Sequence, residues 1–223
     1  MAEVMSQKEQ GPIHRLVVGL GNPGVMYART RHNLGFRALD AFLQAEGIPK
    51  RFIARGRARM QDVEVEGIRV LLVRPATYMN LSGAAVAQVL ESTGLGLENL
   101  LVVHDEMDLE VGKAKMKAGG GAAGHRGVED IIAHCGEGFA RLKIGIGSPP
   151  QKGEDAGMEW VLGEMGPEEK AIVAELMPLV AQGMRRWAVE RVEKAMSWFN
   201  SLQREVPEQA EVPAGELEDK PDE

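Results

Sequence analysis

The sequence predicts an α/β fold, a single three-layer α/β/α globule around a twisted mixed sheet. Three observations predict it. Short apolar runs at 13–19 (IHRLVVG), 100–104 (LLVVH) and 141–147 (RLKIGIG) have the length and composition of buried strands. Segments with apolar residues at helical spacing lie between and after them. The stretch 57–74 alternates, turns at Glu66-Gly67 and returns, which is a hairpin and makes the sheet mixed rather than purely parallel.

The other elements follow in chain order. Leu34, Ala38, Leu39, Phe42 and Leu43 place a helix over 31–46, ended by Gly47. Residues 82–93 form a short helix with Asn80 or Ser82 as its N-cap. The strand at 100–104 ends in Asp105-Glu106. GKAKMKAGGG, from Gly112, begins as a strand with Lys113, Lys115 and Lys117 on one face, then dissolves into a glycine loop. Residues 126–135 are helical, and in the strand after them Arg141 and Lys143 oppose Leu142, Ile144 and Ile146. Residues 148–163 read as a long loop of the kind that serves as a lid. From Pro167 a helix places Ile172, Leu176, Val180, Met184 and Trp187 on one face, and Pro178 should kink or split it. Val192, Met196 and Phe199 continue the apolar face.

A chain of 223 residues suits one domain with a full core. The single cysteine, Cys135, rules out an intrachain disulfide framework and fits a reducing, cytoplasmic compartment. The first dozen residues are polar and lack the apolar core of a secretory signal. No run approaches the roughly 18 apolar residues of a membrane span. The expected organisation is a flexible extension over 1–12, a folded domain over 13–204 and a disordered acidic tail over 205–223.

The net charge of −7 belongs to that tail, which holds eight acids and one lysine, so residues 1–204 sum to zero. Basic residues in the body are clustered. Lys50, Arg51, Arg55, Arg57 and Arg59 have no acid between them. Lys113, Lys115, Lys117, Arg126, Arg141, Lys143 and Lys152 outnumber Glu129, Asp130 and Glu137 in their stretch. A locally basic face permits a nucleic-acid partner, and an ordinary solvated face is the alternative.

LVVGLGNPG, Leu16 to Gly24, fits G-x-G-x-x-G. A dinucleotide site demands a helix starting at the loop and an acid about 20 residues on, at the end of a second strand. Here VMYARTRHN follows without helical spacing, and Asp40 and Glu46 fall within or at the end of a helix. Pro23 also removes one backbone N–H. The loop reads as a tight turn whose one functional side chain is Asn22. A nicotinamide-dependent oxidoreductase is thereby disfavoured.

In an open α/β sheet, ligands sit beyond the carboxyl ends of the strands. Asn22, Met79, Asn80 and Asp105 follow strands, His32 precedes the first long helix, and His125 closes the glycine loop. Together they can activate water. His32 suits a general base, Asp105 can hold its tautomer, and Asn22 and Asn80 can donate to a developing oxyanion. No G-x-S-x-G, H-E-x-x-H or C-x-x-C is present, which leaves metal-free, cofactor-free hydrolysis. Each residue also has a structural reading. His32 and Asn80 suit helix caps, Asp105 and Asn22 suit turns, and Tyr27 and Tyr78 suit a core or a stacking platform. His104 and His134 read as structural.

The motifs GLGNPGVMYARTRHNLGF, RPATYMNLSG, HDEMDLEVGKAKMKAGGGAAGHRG and RLKIGIGSP, in that order, closely resemble bacterial-type peptidyl-tRNA hydrolases over about residues 13–200. The resemblance implies cleavage of the ester between a peptide and the 3′ ribose of tRNA, which recycles tRNA from aborted translation. It implies a monomer whose partner is peptidyl-tRNA, held at its CCA end and acceptor stem. By motif position His32 is the base, Asp105 its partner, and Asn22 a discriminator of blocked from free amino groups. Tyr27, Tyr78, Met79 and Asn80 line the site for the peptide and the tRNA end, and Lys115, Lys117 and Lys143 touch phosphates, which position a nucleic acid without reading it. His125, from its place at the end of the glycine loop, is a further substrate-binding candidate. Many members read GHNG where this chain reads GHRG. Arg126 cannot accept a hydrogen bond as asparagine does, and its expected partner is a phosphate or ribose of the CCA end. The rival reading is a non-catalytic RNA-binding relative of the kind that serves intron splicing. The presence of His32, Asp105, Asn22 and Asn80 favours the enzyme.

Overall fold

A computed structural model describes residues 12–151, 153 and 155–202. The expected N-terminal extension (apart from Pro12), Lys152 and the acidic tail lie outside the described residues. Seven strands form one sheet: β1 (Arg15–Gly19), β2 (Ile53–Arg55), β3 (Ala58–Val65), β4 (Ile68–Pro75), β5 (Leu100–Glu106), β6 (Ala114–Ala118) and β7 (Ala140–Gly145). Their order is β2-β3-β4-β1-β5-β7-β6. The central four, β4, β1, β5 and β7, are parallel. The hairpin adds antiparallel β3 and β2 at one edge, and β6 runs antiparallel at the other. The mixed sheet is thus as expected, and the short β2 is an addition. All three of its residues are exposed, so it carries no buried apolar pattern to read.

Helices cover both faces. On one face α1 (Leu34–Ala45), α5 (Pro167–Val189) and α6 (Val192–Leu202) bury Leu39, Phe42, Met184, Trp187 and Phe199 against Val17, Val103 and Leu142. On the other, α2 (Ser82–Thr93) and α3 (Arg126–Cys135) bury Val86, Val89, Val128 and Ile131 against Leu16, Val18 and Val102. Strand side chains alternate, so each inner strand feeds both cores. α5 runs unbroken through Pro178, so the expected split does not occur. A proline removes one helical hydrogen bond, and here the buried face of α5 outweighs that loss.

The glycines of the first loop bring a helix onto a strand. A Cβ on Gly19 would lie 2.3 Å from the Gly35 carbonyl oxygen, and one on Gly35 would lie 2.3 Å from the Leu20 nitrogen and the Val103 oxygen. Leu20 and Phe36 then exchange a backbone bond, Phe36 N–H donating to Leu20 O at 3.1 Å. This contact sets the start of α1, and the turn before it, at the carboxyl end of β1. Because the parallel strands all point one way, Gly19, Pro75, Glu106 and Gly145 share one rim of the sheet.

Candidate active site

At that rim a cavity of about 430 Å³ opens. Asn22, Tyr27, His32, Tyr78, Met79, Asn80, Asp105, His125 and Arg126 all line it. The lysines Lys115, Lys117 and Lys143 do not.

The floor is built on Asp105. β5 extends to Glu106, two residues beyond the expected 100–104, so Asp105 sits within the strand and is 2% exposed. His32 lies in a single 3-10 turn, Arg31–Asn33, ahead of α1. Its Nδ1 is 3.0 Å from both Asp105 carboxylate oxygens. His125 is the N-cap of α3: its Nδ1 accepts the Val128 N–H at 3.3 Å, which leaves Nε2–H to donate to Asp105 Oδ1 at 3.1 Å. Burial alone would raise the Asp105 carboxyl. The two imidazoles, by charge and by hydrogen bond, outweigh it and hold the group well below the usual carboxylate range. An ionised carboxylate only accepts, so His32 Nδ1 carries the proton and Nε2 is the free acceptor of that ring. His32 therefore caps no helix. His104, fully buried beneath His125 with ring centroids 4.7 Å apart, donates Nδ1–H to the Asp105 carbonyl at 2.6 Å. It is the packed, structural histidine that the sequence suggested. His134 also matches its structural reading, with Nδ1 2.9 Å from the Asp130 carbonyl oxygen on α3.

Asn22 is fixed from two sides. Its Oδ1 accepts the Met79 N–H at 2.8 Å, which leaves Nδ2 as the free donor at the cavity wall. Asn33 grips its backbone, accepting from Asn22 N–H at 2.8 Å and donating to Asn22 O at 3.0 Å. Asn33 was not among the sequence candidates, and its only signal was adjacency to His32. Asn80 is exposed at the mouth and caps nothing. α2 starts after Leu81 with no side-chain cap, and Ser82 Oγ instead donates to Met79 O at 2.8 Å. Both expected caps are thus corrected. Tyr27 and Tyr78 meet edge to face at 6.4 Å, and Tyr78 is 58% exposed, so neither is a core residue.

The expected loop at 148–163 contains a helix, α4 (Ala156–Leu162), whose Met158, Val161 and Leu162 form an apolar wall of the cavity. Its seven residues bury none of their number completely, so no periodic apolar face announced it. Two side chains fasten it. Trp160 Nε1 donates to Gly147 O at 2.8 Å. Arg31, buried next to His32, stacks on Trp160 at 3.7 Å, donates to Glu164 O at 3.0 Å and pairs with both Glu169 oxygens at 2.7 and 3.0 Å.

The basic face is smaller than the composition suggested. Arg141 is 1% exposed, stacks on Phe139 at 4.6 Å and donates to Gly121 O, so it is an interior support of the glycine loop. Lys143 is paired with the buried Glu106. Lys115 and Lys117 are exposed, and Lys115 lies opposite Lys143 in the register of β6 and β7.

His32, Asp105 and His125 also have the donor set of a metal site, with ligand atoms within 4.8 Å of one another. In this arrangement the two ring nitrogens concerned are turned onto the carboxylate as N–H donors. The hydrogen-bond pattern accounts for the cluster. Among the described residues no helix is long and apolar enough to cross a membrane.

Comparison with known proteins agrees with the geometry. The family model described as "Peptidyl-tRNA hydrolase" matches residues 16–209. A peptidyl-tRNA hydrolase of Brevibacillus brevis is 40% identical over 194 residues, 85% of this chain and 100% of the relative. One of Rhodospirillum rubrum is 44% identical over 167 residues, 75% of this chain and 68% of the relative. The crystal structure of the Acinetobacter baumannii peptidyl-tRNA hydrolase superposes with a TM-score of 0.79 at 33% identity, covering 86% of this chain and 98% of that one. The chain belongs to the peptidyl-tRNA hydrolase family.

Proposed function

We propose that the chain cleaves the ester joining a peptide, or an N-blocked aminoacyl group, to the 3′ ribose of tRNA, with residues 13–204 as the hydrolase domain. The observation that carries the reading is the pair of imidazole N–H groups on buried Asp105, which frees His32 Nε2 as a proton acceptor in the cavity. A water gives its proton to His32 Nε2, and its oxygen attacks the ester carbonyl carbon. Asp105 stabilises the imidazolium. Asn22 Nδ2, with Asn80 at the mouth, donates to the oxyanion. Collapse breaks the bond to the ribose oxygen, which takes the proton back from His32. Tyr27, Tyr78 and Met79 border the scissile end, and His125 orients Asp105. Exposed Arg126 meets a phosphate or ribose of the CCA end. Lys115 and Lys117 take phosphates of the acceptor stem, and Lys143 joins them only by sharing its charge with Glu106. The protein acts as a cytoplasmic monomer that recycles tRNA.

The test is release of N-blocked aminoacyl groups from tRNA with EDTA present, by the parent and by His32→Ala. The parent cleaves, and the variant loses on the order of a hundredfold or more. A parent that binds tRNA and cleaves nothing would put the non-catalytic RNA-binding reading in its place.

A further inference from the structure

The charge of this chain is divided at one point. Residues 205–223 hold eight acids and one lysine, and everything before them sums to zero. The described residues end at Leu202, three positions before that stretch. α6 ends at Leu202, and two residues earlier Asn200 is fastened to the edge strand β6. Met116 N–H donates to Asn200 Oδ1 at 2.9 Å, and Asn200 Nδ2 donates to Met116 O at 2.9 Å. Met116 is buried on the α5 and α6 side of the sheet. Its neighbours Lys115 and Lys117 therefore project from the opposite side of the same strand. Both are exposed and have no ion pair among the described residues. Beyond them lies the glycine loop that leads to His125.

We propose that the acidic segment 205–223 crosses the edge of β6 and occupies the Lys115–Lys117 face, where its carboxylates compete with RNA phosphates. This rests on the assignment of those lysines to the acceptor stem. Reach is ample: the 21 residues after Leu202 span up to about 70 Å, whereas rounding one strand takes on the order of 10 Å. Tethering supplies an effective concentration on the order of millimolar, so weak contacts suffice. Such contacts between exposed charges are screened by salt. Among the described residues a second cluster of exposed cations without an ion pair, Arg51, Arg55 and Arg57, lies at the β2 edge, six strand spacings or roughly 29 Å across the sheet. The pinned end of α6 favours the β6 face over that one.

A carbodiimide that joins adjacent carboxylates and amines tests the placement on the full chain. Crosslinks from 205–223 to Lys115 or Lys117 are expected within one molecule at about 50 mM salt, and their loss at about 500 mM. Links only to Lys50, the one amine of the basic cluster before β2, or only between isotopically distinct copies, would overturn the proposal. Competition is read by binding of an acceptor-stem RNA hairpin. Changing the eight acids to Gln or Asn should tighten binding about five- to tenfold at low salt. The same change in a Lys115→Gln, Lys117→Gln background should alter affinity less than twofold. An equal gain in both backgrounds means general repulsion of RNA by the acidic stretch and overturns docking. Ester hydrolysis is assayed alongside. Its absence would remove the enzymatic reading and leave the crosslinking result standing by itself.

Discussion

The floor and the mouth of the cavity contrast in how their polar side chains are held. Asp105 accepts from His32 and His125 and is buried, and Asn22 is held by Met79 and Asn33. At the mouth, Asn80 and Arg126 are exposed, and their side chains make no hydrogen bond among the described residues. The difference separates two tasks. Groups that must keep a tautomer or a direction while charge moves are fixed by partners beforehand. Groups that meet a large, mobile substrate are left with unspent donors.

The largest expected effect lies in the floor. Asp105→Asn keeps the shape and replaces an acceptor pair with an amide. The amide oxygen can take the place of Oδ1, which faces both rings, but the amide nitrogen then stands 3.0 Å from His32 Nδ1, donor against donor, which drives His32 to its other tautomer or out of its bond. If His32 turns, its Nε2 becomes a donor and no longer takes the proton of water. A loss on the order of 10³- to 10⁴-fold in kcat is expected, with tRNA affinity within twofold. Parental kcat in Asp105→Asn would remove the carboxylate from the mechanism.

A smaller effect is expected at the mouth. Arg126→Asn should weaken tRNA binding several-fold, and the slope of log affinity against log salt should fall by about 0.7 to 0.9, one phosphate contact. kcat should hardly change, because nothing in the floor leans on this side chain. A drop in kcat with unchanged affinity would instead make position 126 part of the chemistry. An affinity and salt slope equal to the parent's would sink the phosphate assignment.

The same contrast explains what could be read from the chain alone. The floor residues sit at the ends of strands with strong apolar runs, and sheet topology then forces Asn22 and Asp105 to one rim. The partners that fix them are another matter. Asn33 and Arg31 act through contacts made only when α1 is laid across β1 at Gly19 and Gly35, and neither has a local pattern of its own. α4 is invisible for a related reason. It is anchored by Trp160 and Arg31 rather than by a continuous apolar stripe, so periodicity has nothing to detect. Arg141 and Lys143 misled in the opposite direction. Alternation placed them correctly on one face of β7, but alternation does not say that Phe139 and the glycine loop close over Arg141, or that Glu106 meets Lys143.

The smallest effect concerns stability and isolates His104, below the floor. Burial, and then the charge of His125, push this imidazole well below its ordinary value of 6.5, against the pull of Asp105. The unfolded chain therefore takes up a proton as pH falls below about 6.5, while the folded chain does not. Stability should drop with acidification from that point, with a slope approaching about 1.4 kcal/mol per pH unit. Asp105 adds nothing to this window, because a carboxyl held below its ordinary value contributes fully above about pH 4 and loses its contribution only at lower pH. Urea unfolding of the parent and of His104→Gln between pH 7 and pH 5 separates the two. The substitution lowers stability at pH 7 by loss of packing and of the bond to the Asp105 carbonyl. It should also flatten the dependence on pH, and the flattening rather than the loss is the signature. Equal slopes in parent and variant would mean that the buried ring takes up its proton in the folded chain as readily as in the unfolded one. Asp105 would then share its charge with three imidazoles instead of two, and the floor would be less rigidly divided into donor and acceptor than its geometry indicates.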